Sequence, residues 1–91
     1  MNATKKLLLV FSFTTFDDPL GCTIRVIADV DSKSINNVFD NIDKSISRYR
    51  GTYEEDVCYE IVDTVLNKEG LAWRPLSNSD ESVHACGMFW I

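Results

Sequence analysis

Apolar and polar residues alternate in the first third of the chain as they do in β-strands. In residues 5–14 every second side chain from Leu7 to Phe13 is apolar, and the opposite face is apolar at first and polar later. This predicts a central strand, or one whose far face is partly covered. Residues 22–30 alternate more regularly, because every second residue from Cys22 to Val30 is apolar and lies on the same face of the strand. Asp-Pro and a glycine in residues 15–21 supply turn chemistry, so the two strands are predicted to form an antiparallel hairpin.

The next segment has the spacing of a helix. Its apolar residues recur every three or four positions, namely Ile35, Val38, Phe39, Ile42, Ile46 and Tyr49. Residues 31–34 (Asp-Ser-Lys-Ser) are expected to cap this helix and Gly51 to stop it. Basic residues at its end, Lys44, Arg48 and Arg50, complement the helix dipole and therefore need no functional explanation.

A second helix is predicted over residues 52–70. Thr52 and Glu55 have the spacing of a capping box, and Gly70 fits a left-handed stop after which Leu71 can meet Leu66. The apolar positions from Val57 to Leu66 cover roughly half of the helix circumference at about 100° per residue. Such a wide face predicts two packing neighbours, the sheet and the first helix.

Two further strands are predicted, over residues 71–76 and 83–91, separated by a polar loop. Pro75 limits the first of them to an edge or an end of the sheet. The element order ββααββ predicts one α+β domain over residues 1–91, with a two-layer architecture. We expect a mainly antiparallel four-stranded sheet with both helices on one face. The last two strands could pair as a hairpin, and the strand order stays open.

Composition narrows the class of protein. The chain has 91 residues, a net charge of -5 and 45% hydrophobic residues, which is typical of a globular domain and not of a disordered chain. The negative charge argues against direct binding to nucleic acid or to an anionic membrane. Lys5 and Lys6 before an apolar run are a feature of signal peptides, but Asp17 and Asp18 and the lack of a cleavage site favour a strand. No run approaches the ~20 apolar residues of a membrane span.

The chemistry of metal sites and catalysis is missing from the sequence. Three cysteines, Cys22, Cys58 and Cys86, lack the spacing of metal ligands, and we interpret them as free, buried thiols in a reducing cytoplasm. Scattered glycines exclude the nucleotide-binding fingerprints. His84 and Cys86 share a face of the last strand, but a surface histidine beside a core cysteine is the favoured interpretation. We therefore expect no catalytic residues, no metal and no cofactor.

The negative charge is concentrated in the second predicted helix. Residues 52–70 contain six acidic residues against Lys68 alone, whereas the rest of the chain has eight acidic and eight basic residues. Asp56, Glu60 and Asp63 share one face, with Tyr59 at its edge. This face is either simply solvated or a recognition surface for a basic partner, where a tyrosine is a favoured anchor. The predicted partner-binding residues are Tyr53, Glu54, Glu55, Asp56, Tyr59, Glu60 and Asp63.

A second candidate surface lies in the last strand. Phe89 and Ile91 alternate with Met88 and Trp90, so one pair can fill the core while the other stays exposed unless a second copy or a partner covers it. The alternative is a central strand that is buried on both sides.

Together, these features predict a small, acidic, non-enzymatic protein-binding module. Its size and charge are shared by neutralising proteins such as immunity proteins, antitoxins and phage-encoded inhibitors of defence nucleases. Such a protein, from a phage or another mobile element, would bind a basic nucleic-acid-handling protein. The alternative is a homodimeric domain that binds or senses a small ligand.

Overall fold

The structure, a computed structural model, describes residues 4–77 and 82–91. Two long strands, β1 (Thr4–Thr15) and β2 (Cys22–Asp31), form the predicted antiparallel hairpin. The predicted polar loop at residues 77–82 lies mostly outside the described residues.

The turn of this hairpin depends on Asp18 and Gly21. The Gly21 N–H donates to the Asp18 carbonyl at 3.0 Å, and the Asp18 carboxylate accepts the N–H of Leu20 at 2.9 Å. Gly21 has a φ of 79°, a left-handed conformation that side chains with a Cβ rarely adopt. A Cβ at this position would lie 2.3 Å from the Phe13 carbonyl oxygen, so the close approach of the chain also requires glycine.

Three shorter strands complete the sheet: β3 (Thr52–Tyr53), β4 (Ala72–Pro75) and β5 (Ala85–Trp90). β4 pairs antiparallel with β2, whereas β5 and β3 pair in parallel with β1. The sheet is therefore mixed and has five strands, and β3 lies between the two helices in the chain. The expectations of a mainly antiparallel four-stranded sheet and of the element order ββααββ are thus only partly met. β4 is antiparallel to β2 and therefore runs in the same direction as β1 and β5. The hairpin between the last two strands, left open by the sequence, does not form.

The two helices are α1 (Ile35–Ile46) and α2 (Glu55–Lys68), and a short 3-10 turn (Ser47–Tyr49) follows α1. Ser34 occupies the N-cap position of α1 without a side-chain hydrogen bond. The expected cap from residues 31–34 is instead a turn, in which the Asp31 carboxylate accepts the Lys33 N–H at 3.1 Å.

The predicted capping box of the second helix is wrong. Thr52 pairs with Thr14 in the sheet, so the helix begins three residues later than predicted, and Glu54 holds the N-cap position without a side-chain hydrogen bond. The predicted stop is confirmed, because Gly70 has a φ of 68° and the Leu71 N–H donates to the Leu66 carbonyl at 3.3 Å. Strand pairing has replaced side-chain capping at one end of α2, while the other end follows the sequence.

One hydrophobic core joins both helices to one face of the sheet. The alternating residues from Leu7 to Phe13 and from Cys22 to Val30 are buried in it together with Ile42 and Ile46 of α1 and with five residues of α2. The five are Cys58, Ile61, Val62, Val65 and Leu66. β1 has neighbours on both edges, and Val10 on its far face is also buried, which confirms the predicted central strand with a partly covered far face.

Candidate functional site

The acidic residues of α2 lie on the side of the helix away from the core. Asp56, Glu60 and Asp63 are exposed, whereas the apolar residues on the opposite side of α2, from Cys58 to Leu66, are buried. Three negative side chains thus share one solvent-facing strip, which we call the acidic face of α2. The observed exposure is what the sequence predicts, and it is compatible with both a solvated face and a recognition surface.

The first turn of α2 adds Glu54 and Glu55 to this region. Both are exposed, and Glu55 and Asp56 lie where the positive end of the helix dipole stabilises carboxylates. Local helix electrostatics therefore account for part of the negative charge. Tyr53, which the sequence grouped with these residues, lies before the helix in β3. Its ring is half-buried and meets Phe13 edge-on, with ring centroids 6.5 Å apart.

Tyr59 connects the acidic face to the sheet. Its side chain is 52% exposed and lies beside Cys22 at the start of β2. The Cys22 thiol, partial burial and Glu55 raise the pKa of Tyr59 above its ordinary value, so the phenol keeps its proton at neutral pH. Tyr59 therefore presents a neutral aromatic ring with a hydroxyl donor beside a row of carboxylates.

A groove of about 400 Å³ borders the acidic face of α2. Tyr59 and Asp63 line it on the helix side, the segment from Thr23 to Val26 lines it on the β2 side, and Trp73 and Pro75 of β4 line it as well. The Trp73 indole N–H donates to the Asn67 side-chain carbonyl at 3.4 Å, which ties β4 to α2. The groove is therefore built by three elements that are separate in the sequence.

Sequence reasoning found two of these groove residues and missed the others. Tyr59 and Asp63 were identified from their helical spacing. Pro75 predicts that the strand containing Trp73 lies at an edge or an end of the sheet, and this is confirmed because β4 pairs with β2 alone among the described strands. Nothing in the alternation of β2 indicates that its edge near Thr23 would border α2. The available signal is a tryptophan in a short strand, two residues before a proline.

The second candidate surface lies on β5, at the opposite edge of the sheet. Phe89 is buried in the core, while Met88 and Trp90 are 56% and 71% exposed. The sequence expectation that one of the two pairs stays exposed is confirmed, and the alternative of a strand buried on both sides is wrong. Cys86 faces the same side and is exposed, so the prediction of three buried cysteines holds for Cys22 and Cys58 only.

His84 lies just before β5 and is held by its backbone, whose N–H donates to the Lys6 carbonyl at 2.7 Å. Its exposed side chain shares a shallow depression with Lys5 and Lys6. Within residues 4–77 and 82–91, no three His, Cys, Asp or Glu side chains are grouped as they would be around a metal ion. No helix in the same part of the chain is long and apolar enough to cross a membrane.

Comparison with family models, curated proteins and solved structures returns no match to this chain. The geometry and chemistry of the site itself are therefore the basis for a proposed function.

Proposed function

We propose that the protein is a small, non-enzymatic binding module whose acidic face of α2 docks onto a basic partner protein. The observation that supports this proposal is the arrangement around Tyr59, an exposed aromatic side chain that lies between three exposed carboxylates and a groove. Tyrosine is a favoured anchor of protein interfaces, and negative charge accelerates encounter with a basic surface. The partner is a protein that handles nucleic acid, because such proteins carry basic surfaces.

Within this class, we propose a neutralising role of the kind shown by immunity proteins, antitoxins and phage inhibitors of defence systems. The module would block its target in the cytoplasm by covering the basic surface that the target uses for nucleic acid. Acidic side chains at helical spacing can compete for such a surface, because binding of nucleic acid depends largely on phosphate charge.

Charge reversal tests the proposal. The triple variant Asp56→Lys, Glu60→Lys and Asp63→Lys is expected to lose the partner that the wild-type protein captures from its native host. A matched control reverses Asp17, Asp40 and Asp43, which are exposed on the hairpin turn and on α1 and give the same change in net charge. The control should capture the same partner. Circular dichroism shows whether both variants fold.

The captured protein is then purified, and its association rate is measured at low and high salt. We expect a fall in the rate with salt for the wild-type protein and the control, because screening weakens long-range steering. Equal capture by the α2 triple variant and the control would refute the proposal.

The exposed Met88 and Trp90 favour a second candidate function, a homodimer that binds or senses a small ligand. Two large apolar side chains on one side of an edge strand are a surface that a second copy would cover. Sedimentation of wild-type protein and of a Met88→Ser/Trp90→Ser variant tests this candidate. A dimer that becomes a monomer supports it, and a wild-type monomer across the micromolar range rules it out.

A further inference from the structure

The outer edge of β5 is an unpaired sheet edge. The Ile91 N–H donates to the Ser12 carbonyl of β1 at 2.9 Å, in the register in which β5 pairs with β1. Backbone groups alternate between the two edges of a strand, so those of Cys86, Met88 and Trp90 point away from β1. Within residues 4–77 and 82–91, no strand pairs with β5 on that side, and no backbone group bonds to these three residues there.

The neighbouring segments do not run along this edge. Just before β5, the His84 N–H donates to the Lys6 carbonyl at 2.7 Å, so the chain approaches the strand while held against β1. β3 pairs with Thr14 and Thr15 of β1, beyond the residues that pair with β5, and therefore continues the line of β5 without covering it. The described part of the chain thus leaves the outer side of β5 accessible.

The two edges of the sheet differ in their protection against association. β4, at the opposite edge, is four residues long and contains Arg74 and Pro75. Charge and proline both hinder the pairing of one sheet edge with another. β5 is six residues long and contains neither a charged residue nor a proline. An edge strand without such protection is a template for pairing with a further strand.

Apolar side chains flank the β5 edge on both faces of the sheet. Met88 and Trp90 are exposed on the face without helices. On the other face, the Phe39 ring of α1 lies so close to Gly87 that an added Cβ would be 2.8 Å from it. Phe39 is only half-buried, as is Ile35 one turn earlier, although the apolar residues later in α1 are buried. A strand added at β5 would therefore cover apolar surface on both faces.

We propose that two copies of this chain pair through β5 as antiparallel strands, with Met88 opposite Met88 of the second copy. A two-fold axis passes between these two residues, and Cys86 of each copy lies opposite Trp90 of the other. In this register the outward backbone groups of all three residues find partners, and no charged side chains meet along the paired strands.

A second copy suits this edge better than a charged partner does. β5 offers no charge for such a partner to recognise, whereas the negative charge of the chain is concentrated in α2. α2 lies on the β4 side of the sheet, where the Asn67 side chain accepts the Trp73 indole N–H, so pairing at β5 does not bring two acidic faces together. The inference rests on the second candidate function, whose homodimer it specifies, and is independent of the acidic face of α2.

Hydrogen exchange tests the pairing residue by residue. The amides of Cys86, Met88 and Trp90 are bonded in the proposed dimer and unbonded in the monomer. Their exchange should slow by about tenfold or more between dilute and millimolar protein, while the amides of Gly87 and Phe89, which face β1 in both states, change little. A dimer in which the three outward amides stay unprotected would be held by side chains alone, and strand pairing would be wrong.

A charge in the edge strand tests the surface. Met88→Lys places like charges opposite each other at the two-fold axis and should raise the dimer dissociation constant about tenfold or more. Thr23→Lys is the matched control, because Thr23 is exposed on the same face of the sheet but lies in β2, and it should change the constant by about twofold or less. Sedimentation measures both constants, and circular dichroism shows whether both variants fold. Equal weakening would show general charge repulsion and contradict the proposal.

Cross-linking tests the register. With Cys86→Ser as background, Met88→Cys places two thiols opposite each other, with Cα atoms about 5.5 Å apart, which is within the range of a disulfide. Oxidised glutathione should join this variant into covalent dimers, whereas Thr23→Cys in the same background should stay unlinked. In the wild-type dimer the two Cys86 residues lie about 14 Å apart along the strands and should not cross-link. Faster cross-linking through Cys86 than through position 88 would refute the register.

The outcomes separate the proposals. A wild-type protein that stays monomeric refutes both the β5 pairing and the second candidate function. A dimer without protection of the three outward amides refutes the β5 pairing and leaves that candidate function standing. Neither result changes the outcome of the capture experiment, which tests the acidic face of α2.

Discussion

β2 and β5 pair with the same strand, β1, on its opposite edges, but they reach it in different ways. β2 is ten residues long, follows β1 through a tight turn and pairs antiparallel. β5 is six residues long, comes from the end of the chain and pairs in parallel. Both strands place alternate residues in the same core.

The two strands differ in what determines their position and register in the sheet. The hairpin of β1 and β2 is encoded locally, because one turn fixes the register of every pair that follows. β5 has no such turn, and its position depends on packing against α1 and on the open edge of β1. Pairing β5 with β1 closes a longer loop and therefore costs more conformational entropy, so this pairing has less net stability than the hairpin. We therefore expect damage to the turn to be more costly than damage to β5.

The largest effect is expected from Gly21→Ala in the β1–β2 turn. The new Cβ would meet the Phe13 carbonyl oxygen at 2.3 Å, and backbone at this position cannot easily move away. With the left-handed strain added, the free energy of unfolding should fall by about 3 kcal/mol or more. Urea denaturation measures this loss.

Gly70→Ala is the matched control for that substitution. Gly70 has a similar φ of 68°, but a Cβ there meets nothing within 4 Å. It should cost only about 1 kcal/mol, from backbone strain alone. Equal losses at the two glycines would show that the close approach to Phe13 contributes nothing to the stability of the hairpin.

A smaller loss is expected from Gly87→Ala in β5. Here the Cβ would lie 2.8 Å from the Phe39 ring of α1 and 3.2 Å from the Phe89 ring. These are side chains that can shift, so we expect a loss of about 1–3 kcal/mol. The same substitution in a Phe39→Ala background should cost clearly less, and this double-mutant comparison measures the coupling. An unchanged cost in that background would mean that α1 does not pack on β5 through Gly87.

The same contrast explains which parts of the fold could be predicted from the sequence. Both long strands, the end of α2 and the burial of its apolar face follow from local periodicity and from Gly70. The parallel pairing of β5 could not be predicted, because alternation shows which side chains are buried but not which strand lies alongside. Thr52 shows a different kind of error. Its sequence has the spacing of a capping box, but the residue pairs with Thr14 of β1 and does not cap α2.

The candidate site divides in the same way. The acidic face of α2 was predictable because helical spacing alone brings Asp56, Glu60 and Asp63 together. The groove was not, because it forms only where α2, β2 and β4 meet. Cys86 was misassigned to the core for a related reason. It lies in an edge strand, on the side without helices, and no local pattern distinguishes that side from the buried one.

The smallest effect on stability, and a direct contrast between the two strands, is expected at their cysteines. Cys22 of β2 is buried and Cys86 of β5 is exposed. Burial and Glu55 raise the pKa of Cys22, while burial and the nearby Cys22 raise the pKa of Cys58 from 9.0 to about 11. Both groups are therefore mostly protonated at pH 8, and Cys58 holds almost no reactive thiolate.

Labelling the native protein with a thiol-specific disulfide reagent at pH 8 should accordingly modify one cysteine rapidly and the other two only after denaturation. Cys86→Ser should remove the rapid phase and change the free energy of unfolding by less than about 0.5 kcal/mol, as is usual for an exposed position. Cys22→Ala should leave the rapid phase intact. The pKa of Cys58 is higher in the folded state than in the unfolded state, so the protonated thiol favours folding. This contribution to the free energy of unfolding is complete below pH 9.0 and is lost as the pH rises through about 11. Rapid labelling of Cys22 in the native protein would mean that the start of β2 opens as readily as the edge strand β5, and that the hairpin is not the more firmly held of the two pairings.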